Sequence, residues 1–322
     1  MTSLKTLPKS EKVNVWVFPG QGSQKLGMGI DLLKLPLGKL RLKQAENILG
    51  WSISDVWQSQ TKKLSNTQYT QPCLYVFMTV LADLMKKSGY HPDVVAGYSF
   101  GEYTALYTAG AYDFETGLQL IQKRAEIMSR LPQGSMVTLI GFEGDKLRDE
   151  VLKTEDVWFA NDDPKYAVIS GTSQGVASIL SNVPVERVIP LEVSAAFHTP
   201  LVEPAAKEFQ PVLETTAFEP LSIPIFCSTD FVFSLRVNQV KDNLIRQISR
   251  SVKWQMISQR LINQGINKAI QLGCGQGLLK PMKNIDPGLE ISNVGSSADI
   301  DSIVIRDQLK KLANINPAVI RV

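Results

Sequence analysis

The sequence predicts an α/β fold in which helices cover a sheet of parallel strands. Short apolar runs, typical of buried strands, alternate along the chain with longer segments of helical periodicity. These runs lie at 13–18 (VNVWVF), 93–97 (DVVAG), 223–228 (IPIFCS) and 268–273 (KAIQLG). With 322 residues, of which 44% are hydrophobic, the chain is long enough for one large domain or for a large domain with a smaller one inserted.

The middle of the chain predicts such a smaller unit. Strands are expected at 136–142, 157–161, 166–171 and 187–193, and helices at 143–152 and 173–183. This β-α-β-β-α-β order is typical of a ferredoxin-like domain. We therefore expect residues 134–199 to form an inserted ferredoxin-like domain, and residues 1–133 and 200–322 to form the large α/β domain.

Composition argues against several classes of protein. Charged residues make up 20% of the chain and the formal net charge is +3, which does not favour a nucleic-acid ligand. No apolar run approaches the ~18 residues of a membrane span, and the polar residues 1–12 lack the apolar core of a signal peptide. The three cysteines, Cys73, Cys227 and Cys274, are widely separated, which argues against a disulfide framework or a zinc site. We expect a cytoplasmic monomer with no bound metal and no membrane contact.

The pentapeptide Gly97-Tyr98-Ser99-Phe100-Gly101 follows one predicted strand and precedes a predicted helix that ends at Gly110. A G-x-S-x-G sequence between a strand and a helix is typical of the nucleophile turn of α/β-hydrolase sheets. The context predicts that Ser99 is a nucleophile at a helix N-terminus and that the large domain is α/β-hydrolase-like. The alternative is an ordinary serine in a glycine-rich turn.

A serine nucleophile needs a base, and the chain has two histidines. His91 precedes the strand that leads to Ser99, so it should lie at the opposite end of the sheet, in a surface loop. His198 precedes Thr199 and Pro200, which suit an N-cap and a first helical position. We expect His198 to be the base. No aspartate is an evident third member, so a Ser–His dyad is possible.

Arg124 lies on the apolar face of a predicted helix, where a solvated arginine would not be expected. The segment 113–131 has the periodicity of an amphipathic helix capped by Asp113, and Arg124 falls in the middle of its apolar face. An inward guanidinium needs an anion, and its planar fork suits a carboxylate. The partner is either a buried acidic residue of the protein or the carboxylate of a substrate, which would then be a dicarboxylic acyl group.

Six motifs in order resemble the malonyl-CoA:acyl carrier protein transacylase family and the related acyltransferase domains of polyketide synthases. They cover nearly the whole chain, and an ordered set of this kind is highly specific. The motifs are VFPGQGSQKLGMG (17–29), TQP (70–72), GYSFGEYTAL (97–106), KRAEIM (123–128), VSAAFHTPLVEPA (193–205) and SVKW (251–254).

The resemblance implies a set of catalytic roles. Ser99 is the acylated nucleophile and His198 its general base. The Gln21 loop and the backbone N–H of Phe100 form the oxyanion hole, and the main-chain carbonyl of Gln247 orients the histidine. Malonyl then moves from malonyl-CoA to Ser99 and on to the phosphopantetheine thiol of an acyl carrier protein. No cofactor is implied.

The resemblance also implies residues that select the acyl group. Arg124 binds the free carboxylate of malonyl, and Phe197 belongs to the malonyl-selecting version of its loop. The chain departs from the family pattern in three places. Tyr98 replaces a histidine before the nucleophile, and the late G-P-G loop reads GCG at 273–275. The segment 160–166 reads ANDDPKY, in which Asn161 matches the family but Asp163 and Pro164 do not. We expect Tyr98, and to a lesser degree Asn161, to affect acyl preference.

Other functions share parts of this pattern. An acyl hydrolase, including one that serves a polyketide synthase, also uses G-x-S-x-G, although Arg124 argues against neutral acyl substrates. A non-catalytic scaffold would have no need of Ser99 or His198. Fatty acid and polyketide biosynthesis use the same chemistry, so local residues do not separate a fatty-acid enzyme from a discrete polyketide acyltransferase.

Overall fold

The computed structural model describes residues 13–59 and 62–315. The polar residues 1–12, for which no signal peptide was expected, lie outside this range. The strands are β1 Val13–Phe18, β2 Val94–Gly97, β3 Ser135–Phe142, β4 Val157–Asp162, β5 Tyr166–Gly171, β6 Val185–Pro190, β7 Ile225–Cys227, β8 Val232–Ser234, β9 Ile266–Leu272 and β10 Glu290–Val294. The α-helices are α1 Pro36–Leu49, α2 Ile53–Gln58, α3 Thr67–Lys87, α4 Gly101–Thr108, α5 Phe114–Ser129, α6 Gly144–Lys153, α7 Ser173–Asn182, α8 Glu203–Thr215, α9 Val237–Ser249, α10 Trp254–Asn263, α11 Leu279–Ile285 and α12 Ser297–Ile315.

The larger sheet has six strands in the order β10-β9-β1-β2-β7-β8. The predicted parallel sheet is observed, with one difference: β8 is antiparallel to β7 and makes the sheet mixed. At the centre, Phe18 of β1 pairs with Gly97 of β2, so both strands end at the same edge. The loops that follow them therefore begin side by side, which brings the Gln21 loop next to Ser99.

Strand β1 is apolar at every position except Asn14, because both faces of the strand are covered. Trp16 and Phe18 face one hydrophobic cluster, whereas Val13, Val15 and Val17 face another on the opposite side of the sheet. Side chains alternate between the faces of a strand, so a strand covered on both sides needs apolar residues at every position. The run VNVWVF, which is interrupted only by the half-buried Asn14, is the consequence.

The second sheet is antiparallel, with strand order β4-β5-β3-β6. Its elements follow the predicted β-α-β-β-α-β sequence, and α6 and α7 pack with it around a separate hydrophobic cluster. The strand predicted at 187–193 is instead Val185–Pro190. Leu191 and Val193 leave the sheet and line a cavity described below, which explains their apolar character.

Helix α5 follows the amphipathic prediction closely. Asp113 caps its N-terminus by accepting a hydrogen bond from the N–H of Thr116 at 2.8 Å. The predicted apolar face is buried, although Leu131 beyond the helix end is only half-buried. Within the described residues, none of the helices combines the length and the apolar character needed to cross a bilayer.

Gly101, the first residue of α4, offers a test of this packing. A Cβ there would overlap the carbonyl group of Phe18, so we expect Gly101→Ala to destabilise the protein by about 2 kcal/mol or more. Gly144 opens α6 and has open space around it, so Gly144→Ala should change stability by less than about 1 kcal/mol. Urea unfolding of both variants measures the difference. Equal midpoints would contradict the close approach of α4 to β1.

Candidate active site

Ser99 lies in a tight turn between β2 and α4. Its φ angle is 52°, in the left-handed region that is unfavourable for residues other than glycine. The turn is closed by hydrogen bonds from the N–H of Gly101 to the Tyr98 carbonyl at 2.9 Å and from the N–H of Glu102 to the Ser99 carbonyl at 3.0 Å. Such strain, of about 1–3 kcal/mol, persists only where the surrounding structure enforces it, and it is common at functional sites.

His198 meets Ser99 in the structure. Its Nε2 lies 2.8 Å from Ser99 Oγ, and its Nδ1 lies 3.1 Å from the Gln247 carbonyl oxygen and 3.0 Å from that of Arg250. A carbonyl oxygen can only accept a hydrogen bond, so Nδ1 carries the proton and Nε2 is free to accept one from Ser99. The two carbonyls thus select the tautomer in which the imidazole can act as a base.

The loop of His198 differs from the prediction in two details. Thr199 occupies the N-cap position before a 3-10 turn at Pro200–Val202, but its hydroxyl donates to the Ala196 carbonyl at 2.7 Å instead of capping the turn. His198 itself has a φ of 63°, so both members of the pair have left-handed backbone. The Arg250 carbonyl was not predicted from the sequence, because no side-chain motif marks a backbone acceptor.

His91 has the predicted peripheral place. It is exposed, and its carbonyl accepts a hydrogen bond from the Asn14 side chain near the start of β1. The starts of the parallel strands lie at the edge opposite to Ser99, so His91 takes no part in the site.

The environment of His198 favours the neutral imidazole. Burial lowers the pKa of His198 to about 4, and the nearby charge of Arg124 contributes to that decrease. The two carbonyl groups that accept from Nδ1 oppose it. At neutral pH the ring is therefore unprotonated and available to receive the Ser99 proton.

A cavity of about 70 Å³ adjoins Ser99 and His198. Its walls combine apolar side chains with a few polar groups, and its lining residues are Gln21, Gln71, Tyr98, Ser99, Phe100, Arg124, Met128, Met136, Val168, Leu191, Val193, Phe197 and His198. Of these, Gln71 was not singled out in the sequence beyond its place in the TQP motif. It is fully buried, and its Nε2 donates to the Gln21 Oε1 at 3.3 Å.

Among residues 13–59 and 62–315, Arg124 is the only one that brings a guanidinium to the lining of this cavity. It is 1% exposed, and its Nε, Nη1 and Nη2 have no hydrogen-bond partner in the described part of the chain. No ion pair joins it to an acidic residue there, so the intramolecular alternative for its partner is not observed. The guanidinium carbon lies 5.2 Å from the centre of the Tyr103 ring. This cation–π contact stabilises the positive charge of Arg124 on one face of the guanidinium.

Two residues that line the cavity beside Ser99, Phe100 and Gln21, have backbone N–H groups without an acceptor among the described residues. Within residues 13–59 and 62–315, neither the N–H of Phe100 nor that of Gln21 donates to a protein group. The Gln21 side chain is already engaged, since its Nε2 donates to Thr67 Oγ1 at 3.1 Å and its Oε1 accepts from Gln71. Phe100 is the N-cap of α4, and a free N–H group at the start of a helix is suited to bind an anion.

The residues considered for acyl preference take different positions. Tyr98 and Phe197 line the cavity, and the Tyr98 ring packs edge-on against Trp254 with centroids 6.1 Å apart. Asn161 is buried and is not among the lining residues; its Oδ1 accepts from the N–H of Trp254 at 3.3 Å. Its observed contact is structural, joining β4 to the start of α10.

A second cavity of about 330 Å³ opens on another side of His198. It is lined by aromatic side chains, hydroxyl groups and two cations: Trp158, Phe159, His198, Pro200, Ser228, Thr229, Phe231, Ser249, Arg250, Ser251 and Lys253. His198 therefore lines both the smaller cavity and the larger one. The described residues contain no cluster of three or more His, Cys, Asp or Glu side chains suited to a metal ion.

Comparison with known proteins gives the family. The sequence pattern of the acyl transferase domain matches residues 15–271. The malonyl CoA-acyl carrier protein transacylase of Synechocystis is 40% identical over 289 residues, which cover 89% of this chain and 99% of that protein. The chain belongs to the malonyl-CoA:acyl carrier protein transacylase family.

Solved structures of this transacylase family have the same fold. The crystal structure of the Synechocystis malonyl-CoA:ACP transacylase superposes with a TM-score of 0.87, covering 90% of this chain and 99% of that one at 40% identity. A malonyl-transacylase in complex with its type II polyketide acyl carrier protein superposes with a TM-score of 0.86, covering 92% of this chain and all of its own at 27% identity. The predicted resemblance is confirmed.

The environment of His198 predicts the pH response of Ser99. Modification of Ser99 by phenylmethylsulfonyl fluoride should be independent of pH between about 6 and 8, and should lose half its rate near pH 4, as the imidazole is protonated. Arg124→Ala removes a positive charge that disfavours protonation, so it should move that midpoint upward.

The rate of Ser99 modification is measured by intact mass at each pH. Arg130, the C-cap residue of α5, is exposed and pairs with Glu208, so Arg130→Ala is the matched control and should leave the midpoint unchanged. A midpoint near the ordinary histidine value of about 6.5, in both variants and the parent, would contradict the burial of the base.

Proposed function

We propose that the chain transfers malonyl from malonyl-CoA to the phosphopantetheine thiol of an acyl carrier protein through a malonyl-Ser99 intermediate. One observation carries most of the weight: the buried, unpaired Arg124 lines the same cavity as the hydrogen-bonded Ser99 and His198. A guanidinium in an apolar cavity needs a carboxylate, and malonyl supplies one at the end opposite to its thioester.

The first half of the reaction forms the acyl-enzyme. Ser99 Oγ attacks the thioester carbonyl carbon while His198 Nε2 takes the hydroxyl proton. The N–H groups of Phe100 and Gln21 stabilise the oxyanion of the tetrahedral intermediate. When this intermediate collapses, the C–S bond breaks and the departing sulfur of CoA takes the proton from His198.

The second half repeats these steps with a new thiol. The phosphopantetheine thiol of the carrier protein attacks malonyl-Ser99 and gives its proton to His198, which passes that proton to Ser99 Oγ as the ester breaks. Throughout, the carbonyls of Gln247 and Arg250 stabilise the imidazolium that forms, because they accept from its Nδ1–H.

The two cavities that meet at His198 suggest where the two parts of the substrate bind. The small cavity with Arg124 would hold the acyl group. The larger cavity would admit the pantetheine arm shared by CoA and the carrier protein, with Trp158 and Phe231 beside the arm and Arg250 and Lys253 near the phosphates or an acidic carrier. Both partners would thus approach the same face of the protein.

Tyr98 and Phe197 would limit the acyl group by shape. Both line a cavity of about 70 Å³, in which the Tyr98 ring is held against Trp254. A branched acyl group would need one of these rings to move. Asn161, considered for the same role, would act only indirectly, through its bond to the Trp254 backbone.

The organisation of the chain supports finer proposals. We propose that residues 134–199 form a ferredoxin-like unit, on the basis of their strand order and separate hydrophobic cluster, and that residues 1–133 and 200–322 form an α/β-hydrolase-like unit. We further propose a monomer that acts in the cytoplasm, and size-exclusion chromatography with light scattering tests its oligomeric state.

Polyketide biosynthesis remains the second candidate pathway, since one structural relative is a type II polyketide transacylase. Transfer rates to a panel of fatty-acid and polyketide carrier proteins would separate the two. A preference of about tenfold or more for polyketide carriers would favour a discrete polyketide acyltransferase.

Incubation with malonyl-CoA tests the reaction itself. Without carrier protein we expect one equivalent of CoA per enzyme and a malonyl adduct on Ser99; with carrier protein we expect malonyl on its phosphopantetheine. Intact mass spectrometry follows both, with Ser99→Ala as the control that forms no adduct. Sustained CoA release with no malonyl-carrier would indicate a hydrolase, and no adduct at all would indicate a scaffold.

Selectivity is tested with a panel of acyl-CoA substrates. Arg124→Ala should lower kcat/KM for malonyl-CoA by about 100-fold or more, equivalent to about 2.7 kcal/mol, and should raise the relative use of acetyl-CoA. Arg130→Ala should leave the order of substrates unchanged. The variant Tyr98→His, tested in the same panel with methylmalonyl-CoA included, measures how the tyrosine at this position changes the preference among acyl groups. Unchanged malonyl selectivity in Arg124→Ala would make Arg124 a structural residue.

A further inference from the structure

Glu102 is a buried carboxylic acid that the proposed reaction does not use. It lies on α4, three residues after Ser99, and it is fully inaccessible to solvent. No lysine or arginine forms an ion pair with it in the described part of the chain. Burial raises the pKa of Glu102 to about 7, and hydrogen bonds to its oxygens oppose that rise. A carboxylic acid in such a place is costly, so its hydrogen bonds deserve an explanation.

The oxygens of Glu102 connect three parts of the fold. Its Oε1 accepts from the N–H of Ser228, just after β7, at 3.2 Å. Its Oε2 accepts from Asn243 Nδ2 on α9 at 2.6 Å. The orientation of that amide is fixed independently, because Asn243 Oδ1 accepts from both the N–H and the hydroxyl of Thr229 at 2.8 Å. A carboxylate suits this place because both of its oxygens face donors.

Helix α9 carries one of the two carbonyls that hold the histidine. Gln247 follows Asn243 by four residues, one turn along the same helix, and its carbonyl oxygen accepts from His198 Nδ1 at 3.1 Å. Glu102 lies in the first turn of α4, directly after the Ser99 turn, and its backbone N–H donates to the Ser99 carbonyl. One side chain therefore links the helix that follows the serine to the helix that orients the histidine.

We propose that Glu102 is a positioning residue that fixes α9 against α4, so that the Gln247 carbonyl keeps His198 aligned with Ser99. The inference rests on the proposed function only in requiring that Ser99 and His198 react as a pair. Small displacements of a base from its nucleophile lower rates strongly, so loss of this link should lower kcat more than it changes substrate binding.

A reciprocal exchange of side chains tests the link. Glu102→Gln sets an amide donor against the Asn243 donor, and Asn243→Asp sets two carboxylic acids together. Each single variant should lower kcat by about tenfold or more with KM changed by less than about threefold. The double variant Glu102→Gln/Asn243→Asp restores an amide–carboxylate hydrogen bond with its direction reversed. It also keeps the acceptors for Ser228 and Thr229, so kcat should recover to within about threefold of the parent.

Thr108 supplies the matched control. It is a buried polar residue at the far end of α4, and its hydroxyl donates to the Thr104 carbonyl at 2.9 Å. Thr108→Val should lower the urea midpoint without lowering kcat. Single Glu102 and Asn243 variants that lose stability but keep kcat, or a double variant no faster than the singles, would overturn the proposal. If an amide at position 102 prevents folding, Glu102→Asp keeps both acceptors on a shorter stem and should still lower kcat.

Modification of Ser99 by phenylmethylsulfonyl fluoride keeps this test separate from the proposed function. That reaction needs the serine and its base but not malonyl. If the parent protein is modified at Ser99 and yet transfers no malonyl, the proposed function fails while the modification rates of the same variants still decide the role of Glu102. Loss in the singles and recovery in the double support the link, and equal rates in all variants reject it.

Discussion

The hydrogen bond of 2.8 Å between Ser99 Oγ and His198 Nε2 joins residues that are 99 positions apart in the chain. Much of the fold around it keeps these two atoms in place. The parallel pairing of β1 with β2 sets the turn that presents Ser99, and α9 supplies the Gln247 carbonyl that holds the far side of the imidazole. The second sheet contributes less to the pair itself and more to the cavity wall, through residues such as Met136 and Val168.

The positive charge of Arg124 acts electrostatically on the protonation of His198, which lines the same cavity. The guanidinium disfavours a proton on the nearby imidazole, so the same charge that would recognise a carboxylate also keeps the base neutral. In the proposed reaction, a bound malonyl carboxylate would offset that charge. The imidazole would then become more basic when the thioester arrives, which is when the proton of Ser99 has to move.

The sequence was most informative where the signal is local. The glycines around Ser99, the cap at Asp113 and the misplaced Arg124 each follow from neighbours within a turn or two, and the structure places them as expected. Backbone partners chosen by tertiary packing leave no such signal. The Arg250 carbonyl is one example, and Asn161, whose polar side chain meets the Trp254 backbone and not the cavity, is another.

The left-handed backbone at Ser99 and His198 has a consequence for glycine substitutions. Glycine would adopt either conformation with less strain, so replacing one of these residues by glycine would remove a group that the proposed reaction needs while relieving the main chain. At position 198 that relief would be set against a cavity and against the loss of the Nδ1–H donor for the Gln247 and Arg250 carbonyls. In the proposed reaction both side chains are required, which gives a physical reason for residues other than glycine at these two strained positions.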